Sequence, residues 1–520
     1  MSGASSGGAS SGGAGAGASA SVSARADAAE PGAGAVGAEA EAEFGADARG
    51  AVASRGAVRA VAAVDLGATS GRVMIGRVGD GVLELEQVAR FPNGPVERED
   101  GWHWDLEALW GHVRAGLAEA LRREPSIESV GIDSWAVDYG LLGADGLLAE
   151  PFHYRDERTV RGVDAVHGIV AFEELYRRNG LQFLPFNTVY QYAADVRLAD
   201  AETSLLVPDL LAERLTGRRV AERTNASTTG LVDVHTGEWD LALAEALGIP
   251  SRVLPPLVDP GEVIGRTPAE LGAVPVIAVG SHDTASAIVA IPLSSPNAAY
   301  ISCGTWGLVG LELDAPIVTD AARAANFTNE GGVDGRVRFL HNVTGLWLLS
   351  ETVRAWADRD GAAVDLPALL AAASAEPVPE RLFDADDPSL STPGDMPARI
   401  AALLGMPEPG AEGRAAFARV IVESIADAFA RTLRTAGELA GREIDVVHLV
   451  GGGALNALLC QATADRSSLP VLAGPVEATA LGNVLVQARA LGCSGADASL
   501  EELRARVASA FPAVRFDPRS

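Results

Sequence analysis

The stretch RAVAAVDLGATSGRVMIGRVGDGVLELEQVARF, residues 59–91, contains three apolar runs separated by glycine-rich turns. The runs cover residues 62–66, 72–78 and 83–91. Short apolar runs bounded by turn residues are typical of β-strands, and three in succession with tight turns predict an antiparallel meander.

A helix and further strands follow this meander. Residues 104–124 place apolar side chains at spacings of three and four, which predicts an amphipathic helix. The residues that show this spacing are Leu106, Leu109, Trp110, Val113 and Leu117. Residues 127–142 have the composition of one or two more strands. The chain therefore opens as strands, helix, strand.

A similar order of elements recurs downstream. Residues 298–313 again suggest strand, Gly-Thr turn and strand, and 336–349 a third strand running into a helix. A long helix over 413–441 then leads into a strand over 446–453. The helix is expected to bury Phe417, Val420, Ile421, Ile425, Phe429 and Leu433. Repeated units of this size predict two like α/β domains that face a cleft.

The first 57 residues differ in composition from the rest, since they are mainly Ala, Gly and Ser with scattered Glu. Such a segment cannot bury enough apolar area to offset the entropy lost on ordering. We therefore expect a disordered tail over 1–57.

The charged residues exclude several chemistries. The chain has no lysine, so its 41 basic residues are all arginine, against 69 acidic residues and a net charge of −28. Walker-type phosphate loops, protein kinases and Schiff-base enzymes all require a lysine ammonium or amine. The acidic balance also argues against nucleic acid or an anionic membrane as a partner.

The three cysteines, Cys303, Cys460 and Cys493, lie far apart and show no C-x-x-C spacing. This pattern is typical of a reduced, cytoplasmic protein without a structural zinc site. No run of 18 uncharged apolar residues is present, which argues against a membrane-spanning helix.

The first turn carries groups suited to phosphate. Its glycines let backbone N–H groups converge on an anion, Thr69 and Ser70 supply hydroxyls, and Arg72 supplies positive charge. Asp65 at the strand tip is a candidate Mg²⁺ ligand. A plain β-hairpin is the alternative interpretation of the same residues.

A second glycine turn, Gly451 to Gly453, lies between a strand and a helix. The dinucleotide-binding pattern G-x-G-x-x-G would need glycine where Asn456 stands, so a dehydrogenase is the weaker interpretation. Two glycine turns, one in each half, favour a phosphate chain held across a cleft.

The segment VPVIAVGSHDTASAIVAI, residues 274–291, places polar groups between a strand expected over 274–279 and a helix of small residues expected over 285–291. Ligands of open α/β folds lie at such strand ends. Asp283 could accept a hydroxyl proton during phosphate transfer, and a helix N-cap is the alternative.

Taken together, these residues resemble the FGGY family of carbohydrate kinases from about residue 60 to 515. The resemblance is carried by AVDLGATSGRVM, GIDSWAVDYGLL, YRDERT, GLQFLPFNTVYQ, PDLLAERLTG, ERTNASTTGLV, GSHDTASA, NFTNEGGVDGR, VGGGALNALL and GPVEATALGN. It implies a duplicated, actin-like (ribonuclease H-like) α/β ATPase fold with two domains flanking a central cleft. The implied divisions are an N-terminal domain over 58–292, with the sugar and phosphate sites, and a C-terminal domain over 293–520, with the nucleotide site.

The resemblance also implies site residues. ATP would be bound by Ala68, Thr69, Ser70, Gly71, Arg72, Thr305, Asn342 and Gly452. The sugar would be contacted by Ala136, Asp138, His282, Asp283 and Thr284, with Asp283 as the catalytic base and Asp65 at the metal.

The implied reaction is ATP-dependent and Mg²⁺-dependent phosphorylation of the ketose L-rhamnulose at its C1 hydroxyl, in L-rhamnose catabolism. Two departures bear on it: Ala136 stands where the pattern has Gly, and Ser350 replaces an amide side chain that can face ATP. A kinase for another ketose, L-fuculose or D-xylulose, and a non-catalytic sugar or nucleotide sensor on the same fold are the alternatives.

Overall fold

The computed structural model describes residues 58–391, 394–493, 495 and 497–519. The predicted disordered tail, 1–57, lies outside the described residues. The strands are β1 (Arg59–Leu66), β2 (Ser70–Gly79), β3 (Val82–Pro92), β4 (Pro95–Arg98), β5 (Gly101–Trp104), β6 (Ile127–Ser134), β7 (Tyr139–Gly143), β8 (Gly146–Leu147), β9 (Thr203–Leu206), β10 (Ala221–Glu222), β11 (Leu257–Val258), β12 (Val263–Arg266), β13 (Pro275–Ile277), β14 (Ala298–Cys303), β15 (Trp306–Leu313), β16 (Thr328–Gly331), β17 (Val337–Thr344), β18 (Val446–Val450), β19 (Val471–Ala473) and β20 (Val514–Phe516).

Helices connect and cover these strands. The α-helices are α1 (Leu106–Arg123), α2 (Thr159–His167), α3 (Phe172–Asn179), α4 (Thr188–Ala194), α5 (Val207–Thr216), α6 (Arg223–Ala226), α7 (Leu241–Ala246), α8 (Asp283–Val289), α9 (Asp320–Ala324), α10 (Trp347–Asp360), α11 (Leu366–Ala375), α12 (Met396–Leu404), α13 (Arg414–Ala440), α14 (Ala457–Ser467), α15 (Ala478–Ala490) and α16 (Leu500–Ala510). Short 3₁₀ turns cover Val196–Ala199, Ser227–Thr229, Ser251–Val253, Ala269–Leu271, Val333–Gly335, Pro388–Leu390, Ala411–Gly413 and Gly452–Leu455.

The opening stretch forms the antiparallel meander that its apolar runs predict. β1 pairs with β2 and β2 with β3, both antiparallel, and Asp65 lies opposite Arg72 in the first pair. β6 and β13 add to β1 in parallel and β12 closes the sheet antiparallel to β13, so its order is β12-β13-β6-β1-β2-β3. The first half of the chain therefore builds a mixed sheet around β1.

A second sheet in the later half repeats this arrangement. Its order is β16-β17-β15-β14-β18-β19-β20. From β17 to β20 the neighbours run antiparallel, antiparallel, parallel, parallel and antiparallel, and the first sheet shows the same sequence from β3 to β12. The predicted duplicated α/β fold is confirmed. The exact domain boundary at 292/293 stays a prediction.

Two helices lie between the sheets. A hydrophobic cluster joins β1 and β2 to β14, β17 and β18 through α8 and α15. Each half also has its own apolar core, one around α1 and β1 and the other around α13 and β14. The start of α8, where Asp283 lies, is thus fixed at the junction of the halves.

Some element boundaries differ from the sequence interpretation. α8 begins at Asp283 instead of Ala285, and β13 covers only Pro275–Ile277 of the strand expected over 274–279. Within α13, Phe417, Ile421, Ile425, Phe429 and Leu433 are buried as expected, whereas Val420 is only partly buried. Helix ends are set by local hydrogen bonds, which apolar periodicity does not reveal.

Cys303 and Cys460 are buried, Cys493 is partly exposed, and none of the three is in a disulfide. Within the part of the chain that the structure describes, no helix combines the length and the apolar character needed to cross a bilayer.

The crossing of α8 and α15 depends on a glycine. A Cβ at Gly482 would lie 1.7 Å from the carbonyl oxygen of Ser286. We expect Gly482→Ala to lower the free energy of unfolding by about 1–3 kcal/mol or more, because the backbones must separate. Urea denaturation measures this change.

Gly111→Ala in α1 is the matched control, since open space surrounds the position of its Cβ. In that helix, alanine should raise stability by about 0.5–1 kcal/mol. If Gly482→Ala and Gly111→Ala changed the free energy of unfolding equally, the backbones of α8 and α15 would not be in tight contact at Gly482.

Candidate active site

A cavity of about 420 Å³ lies between the two halves. Its wall includes most of the residues predicted for the site, namely Asp65, Ala68, Thr69, Ser70, Arg72, Ala136, His282, Asp283, Thr284, Thr305, Asn342 and Gly452. Gly71 and Asp138 are not part of the wall. The fold therefore brings together residues from six separate segments of the chain.

The first turn is a β-hairpin whose tip faces the cavity. The N–H of Gly67 donates to the carbonyl of Ser70 over 3.0 Å, which closes the turn. Gly71 faces the core, where an added Cβ would lie 2.3 Å from the Phe91 ring. The hairpin interpretation is therefore correct as a description of the backbone, and the turn also presents hydroxyls to the cavity.

Arg72 is already paired with two carboxylates. Its Nε lies 3.2 Å from Oδ2 of Asp65, and its Nη1 contacts Glu477 from the segment before α15. The side chain of Arg72 keeps 24% of its surface exposed. The positive charge expected to be free for phosphate is thus shared between the two halves of the chain.

Two buried carboxylates, Asp65 and Asp133, and the partly buried carboxylate of Asp283 lie close enough to influence one another. Burial raises the pKa of Asp65, and the nearby Arg72 charge opposes that rise. Burial, followed by the charge of Asp65, raises the pKa of Asp133 well above its usual range. The same two causes raise the pKa of Asp283 to about 7. A general base works best when its pKa lies near the working pH.

Asp283 occupies the first residue of α8, and His282 precedes it as the N-cap residue. The N-cap interpretation of Asp283 is therefore wrong. Its side chain is 31% exposed and lines the cavity. Thr284 donates its hydroxyl to Asp283 over 3.2 Å, which helps to orient the carboxylate.

The segment before α8 is held by a buried acid. Oε2 of Glu222 accepts hydrogen bonds from the backbone N–H and the hydroxyl of Ser281 over 2.9 and 2.8 Å. The carbonyl of Ser281 in turn accepts from the N–H of Ser134 at the end of β6. These bonds fix the backbone from which His282 and Asp283 project.

Asp138 supports the wall from behind. It is fully buried, and its carboxylate accepts hydrogen bonds from the indoles of Trp104 and Trp135, the N–H of Tyr154 and the amide of Gln191. Burial raises its pKa to about 6. Asp138 therefore lies behind the wall with its oxygens hydrogen-bonded within the protein, and its contact with substrate stays a prediction.

The residue between Ala136 and Asp138 adopts an unusual backbone. Val137 has a φ of 68°, and the N–H of Asp138 donates to the carbonyl of Ala136 over 2.9 Å. A β-branched residue rarely adopts positive φ, so surrounding bonds must hold the turn. Thr188 and Gln191 both donate to the carbonyl of Val137. Ala136 and Val137 are thereby presented to the cavity.

Residues of the later half form the opposite wall. Gln182 of the first half accepts from both the backbone and the side-chain N–H groups of Asn342, each over 3.0 Å. Gly452 opens a 3₁₀ turn, and nothing lies within 4 Å of the position that a Cβ would occupy. A ligand can therefore approach the backbone closely at Gly452.

Several residues of the wall were missed or left open by sequence reasoning. Gln182 and Asn187 of the motif GLQFLPFNTVYQ are both buried at the cavity. Glu330 and Glu477 also line it, although no role had been assigned to them. Both lie in motifs that carry the family resemblance, NFTNEGGVDGR and GPVEATALGN, and an acidic residue close to glycines was the available signal.

No group of three or more His, Cys, Asp or Glu side chains in the described residues is placed to hold a metal ion. Mg²⁺ in phosphate-transfer sites is usually bound by one or two carboxylates together with substrate phosphates and water. Oδ2 of Asp65 is buried, lies 3.2 Å from Nε of Arg72 in an ion pair and accepts no hydrogen bond, so it keeps lone pairs for such an ion beside Arg72. The donor set therefore fits a metal that arrives with the nucleotide.

Comparison with known proteins gives consistent matches. The N-terminal domain model of the FGGY family of carbohydrate kinases matches residues 60–290, and the C-terminal domain model of that family matches 299–491. A rhamnulokinase of Bacteroides thetaiotaomicron is 42% identical over 468 residues, covering 87% of this chain and 94% of that protein. A rhamnulokinase of Pectobacterium carotovorum is also 42% identical, over 87% of this chain and 92% of its own.

Solved structures share the fold at lower identity. A ligand-bound xylulose kinase of Lactobacillus acidophilus has a TM-score of 0.72 at 17% identity, covering 89% of this chain and 94% of its own. A Plasmodium falciparum glycerol kinase with ADP has a TM-score of 0.69 at 13% identity, over the same shares of the two chains. At such identities the likeness concerns the fold alone.

Proposed function

The chain belongs to the FGGY family of carbohydrate kinases, and from this premise we propose that it transfers the γ-phosphoryl group of ATP to the C1 hydroxyl of L-rhamnulose. The products are L-rhamnulose 1-phosphate and ADP, and the reaction belongs to L-rhamnose catabolism. The observation that carries the choice of sugar is the 42% identity to rhamnulokinases over 87% of the chain.

Asp283 is the proposed catalytic base. It lies in the cavity between the halves, and its pKa of about 7 lets it accept a proton near neutral pH. The C1 oxygen of the sugar gives its proton to Asp283 and forms a new bond to the γ-phosphorus. The bond between that phosphorus and the oxygen that bridges the β- and γ-phosphates breaks, and ADP leaves with the electron pair.

ATP is proposed to lie across the cavity. The first turn would face the phosphates with the backbone and hydroxyls of Ala68, Thr69 and Ser70, and with Arg72. Thr305, Asn342 and the open backbone at Gly452 would face the nucleotide from the later half. Phosphate oxygens must compete with Asp65 and Glu477 for Arg72, since both carboxylates contact it here.

Mg²⁺ is part of the proposal, with Asp65 as the residue that holds it. When bound with ATP, the ion would offset negative charge on the phosphates. The chain's own contribution is to place one carboxylate acceptor near the hairpin tip and to keep it buried.

The sugar is proposed to bind against Ala136, His282 and Thr284. Trp135 lines the same wall and is held by its hydrogen bond to Asp138. An aromatic face suits the C–H surface of a deoxysugar. Beside Trp135, the methyl group of Ala136 takes up space in the cavity. We also propose a cytoplasmic location, supported by the three free cysteines.

A panel of ketoses tests the proposal. ADP release should be measured with L-rhamnulose, L-fuculose and D-xylulose at saturating ATP and Mg²⁺. We expect L-rhamnulose to have a kcat/KM at least tenfold above the other two, since the relatives that carry the identity are rhamnulokinases.

A higher kcat/KM with L-fuculose or D-xylulose would show that the substrate assignment is wrong, whereas the assignment to ATP-dependent ketose phosphorylation would stand. Binding of ketose and ATP without turnover would instead support a sensor. Purified protein and a coupled assay that reports ADP separate these outcomes.

A further inference from the structure

Three buried polar side chains form a cluster beside the candidate base. His282 precedes α8 in the first half, whereas Glu330 on β16 and Arg338 on β17 belong to the later half. Arg338 is completely buried, and Glu330 and His282 each keep 7% of their surface exposed. A fully buried arginine requires partners that satisfy its charge and its N–H groups.

The contacts within the cluster are short and specific. Nη2 of Arg338 donates to Nδ1 of His282 over 2.9 Å, and its Nη1 lies 3.0 Å from Oε2 of Glu330. Its Nε donates to the carbonyl of Gly331 over 2.8 Å. The guanidinium is therefore held in one plane by the later half while one N–H reaches the first half.

These contacts decide where the imidazole proton lies. An arginine side chain only donates hydrogen bonds, so Nδ1 of His282 must be the acceptor and the proton of the neutral ring must lie on Nε2. Nε2 lies 3.4 Å from Oδ1 of Asp283. The single N–H of the ring thus faces the candidate base, and His282 lines the cavity.

Burial and the charge of Arg338 favour the neutral ring of His282. Burial, followed by the Arg338 charge, lowers the pKa of His282 well below its usual range. The charged groups that face the ring are Arg338 from β17, Glu330 from β16, at 3.4 Å from Nδ1, and Asp283 from α8. The N–H on Nε2 therefore persists across the working pH range.

We propose that Arg338 is a positioning residue for phosphate transfer: from the later half of the chain it fixes His282 as the Nε2–H tautomer, so that one N–H is directed at Asp283 and the substrate hydroxyl beside it. The role rests on the proposed function of Asp283 as the base. Because Arg338 and His282 belong to different halves of the chain, their contact also makes the orientation of His282 beside Asp283 depend on how the two halves are placed.

A spectroscopic test needs no substrate. Long-range ¹H–¹⁵N NMR of the imidazoles reports the tautomer, and loss of one of the eight histidine signals in His282→Gln assigns the ring. We expect the Nε2–H form in the wild type from pH 8 to 5.5. In Arg338→Met we expect mixed tautomers or protonation within this range, and an unchanged Nε2–H signal would overturn the proposal.

A double-mutant cycle tests the effect on the reaction. Arg338→Met should lower kcat/KM for the sugar about 10- to 100-fold, the loss expected for a hydrogen bond from a charged group. In the His282→Gln background the same substitution should change kcat/KM by less than about twofold, because its target is gone. The KM for ATP should stay within about twofold in both backgrounds.

Controls separate positioning from stability. Arg419→Met removes a buried arginine that is paired with Glu423 on α13, outside the cavity wall, and should leave the sugar kinetics unchanged. Arg338→Lys, which keeps the charge and one donor, should recover part of the lost kcat/KM, and it replaces the Met variant if that does not fold. Equal losses from Arg338→Met in both backgrounds would overturn the proposal.

The kinetic arm uses whichever ketose of the panel supports the highest turnover, and the NMR arm uses the free protein. Failure of L-rhamnulose as a substrate would therefore be seen in the panel and would leave both arms interpretable.

Discussion

Asp283→Asn should reduce kcat for sugar phosphorylation by roughly 10²–10⁴-fold, which is the range expected when a general base is removed. Asparagine keeps the shape of the side chain but cannot accept the C1 proton. We expect the variant to fold and to bind ATP, because Asp283 makes few contacts beyond those to Thr284 and His282. Single-turnover kinetics measure the rate of sugar phosphorylation, and calorimetry measures the affinity for ATP separately.

The pH dependence gives a second view of the same group. Because burial and the charge of Asp65 raise the pKa of Asp283 to about 7, the wild-type kcat/KM should rise through this pH. The base is active when it has lost its proton, so activity falls about tenfold per pH unit below 7 and levels off above it. The residual activity of Asp283→Asn should lack this limb.

Asp358→Asn is the matched control, since Asp358 is exposed on α10 and away from the cavity wall. It should leave kcat and the pH profile unchanged. Near-normal turnover in Asp283→Asn would remove the base assignment, whatever the ketose.

Asp65→Asn should lower kcat by roughly 10²–10³-fold, since phosphate transfer depends on groups that offset charge on the phosphates. The substitution removes the carboxylate proposed to hold Mg²⁺ and leaves Arg72 with Glu477 as its remaining acidic partner. Electron paramagnetic resonance of Mn²⁺ added with ATP reports the metal directly, and the protein-bound signal should weaken in the variant.

The same variant has a consequence at Asp283. Because the charge of Asp65 contributes to the raised pKa of Asp283, its removal should move the acid limb of the residual activity to lower pH. Asp80→Asn is the control, because Asp80 lies exposed in the other turn of the meander. Unchanged Mn²⁺ binding in Asp65→Asn would contradict its role at the metal.

Much of the fold could be predicted from local patterns. Apolar runs of strand length and glycine-rich turns predicted β1 to β3, and helical spacing predicted α1 and α13. The recurrence of strand, turn and strand at 298–313 predicted the duplication, which the matching strand orders confirm. These features depend on neighbours within a few residues, so the sequence alone is sufficient to find them.

The candidate site was predicted less completely. Thr69, Ser70 and Asp283 were found because turn residues and strand ends are visible in the sequence, and they line the cavity. Asp138 was predicted to contact the substrate, yet its carboxylate accepts hydrogen bonds from four donors of the surrounding protein. Hydrogen-bond satisfaction depends on which groups meet in space, and residue type does not encode it.

Local sequence patterns were sufficient to predict the meander, the repeated α/β halves, the first hairpin and the place of Asp283 between a strand and a helix. The contacts of Arg72 with Glu477, 405 positions away, and of Arg338 with His282 arise only when the chain is folded. Local propensity and periodicity fix elements, because they act over one or two turns of chain. Electrostatic partners in a cleft come from different halves, so their identity and the resulting pKa of Asp283 depend on how the two sheets pack around α8 and α15.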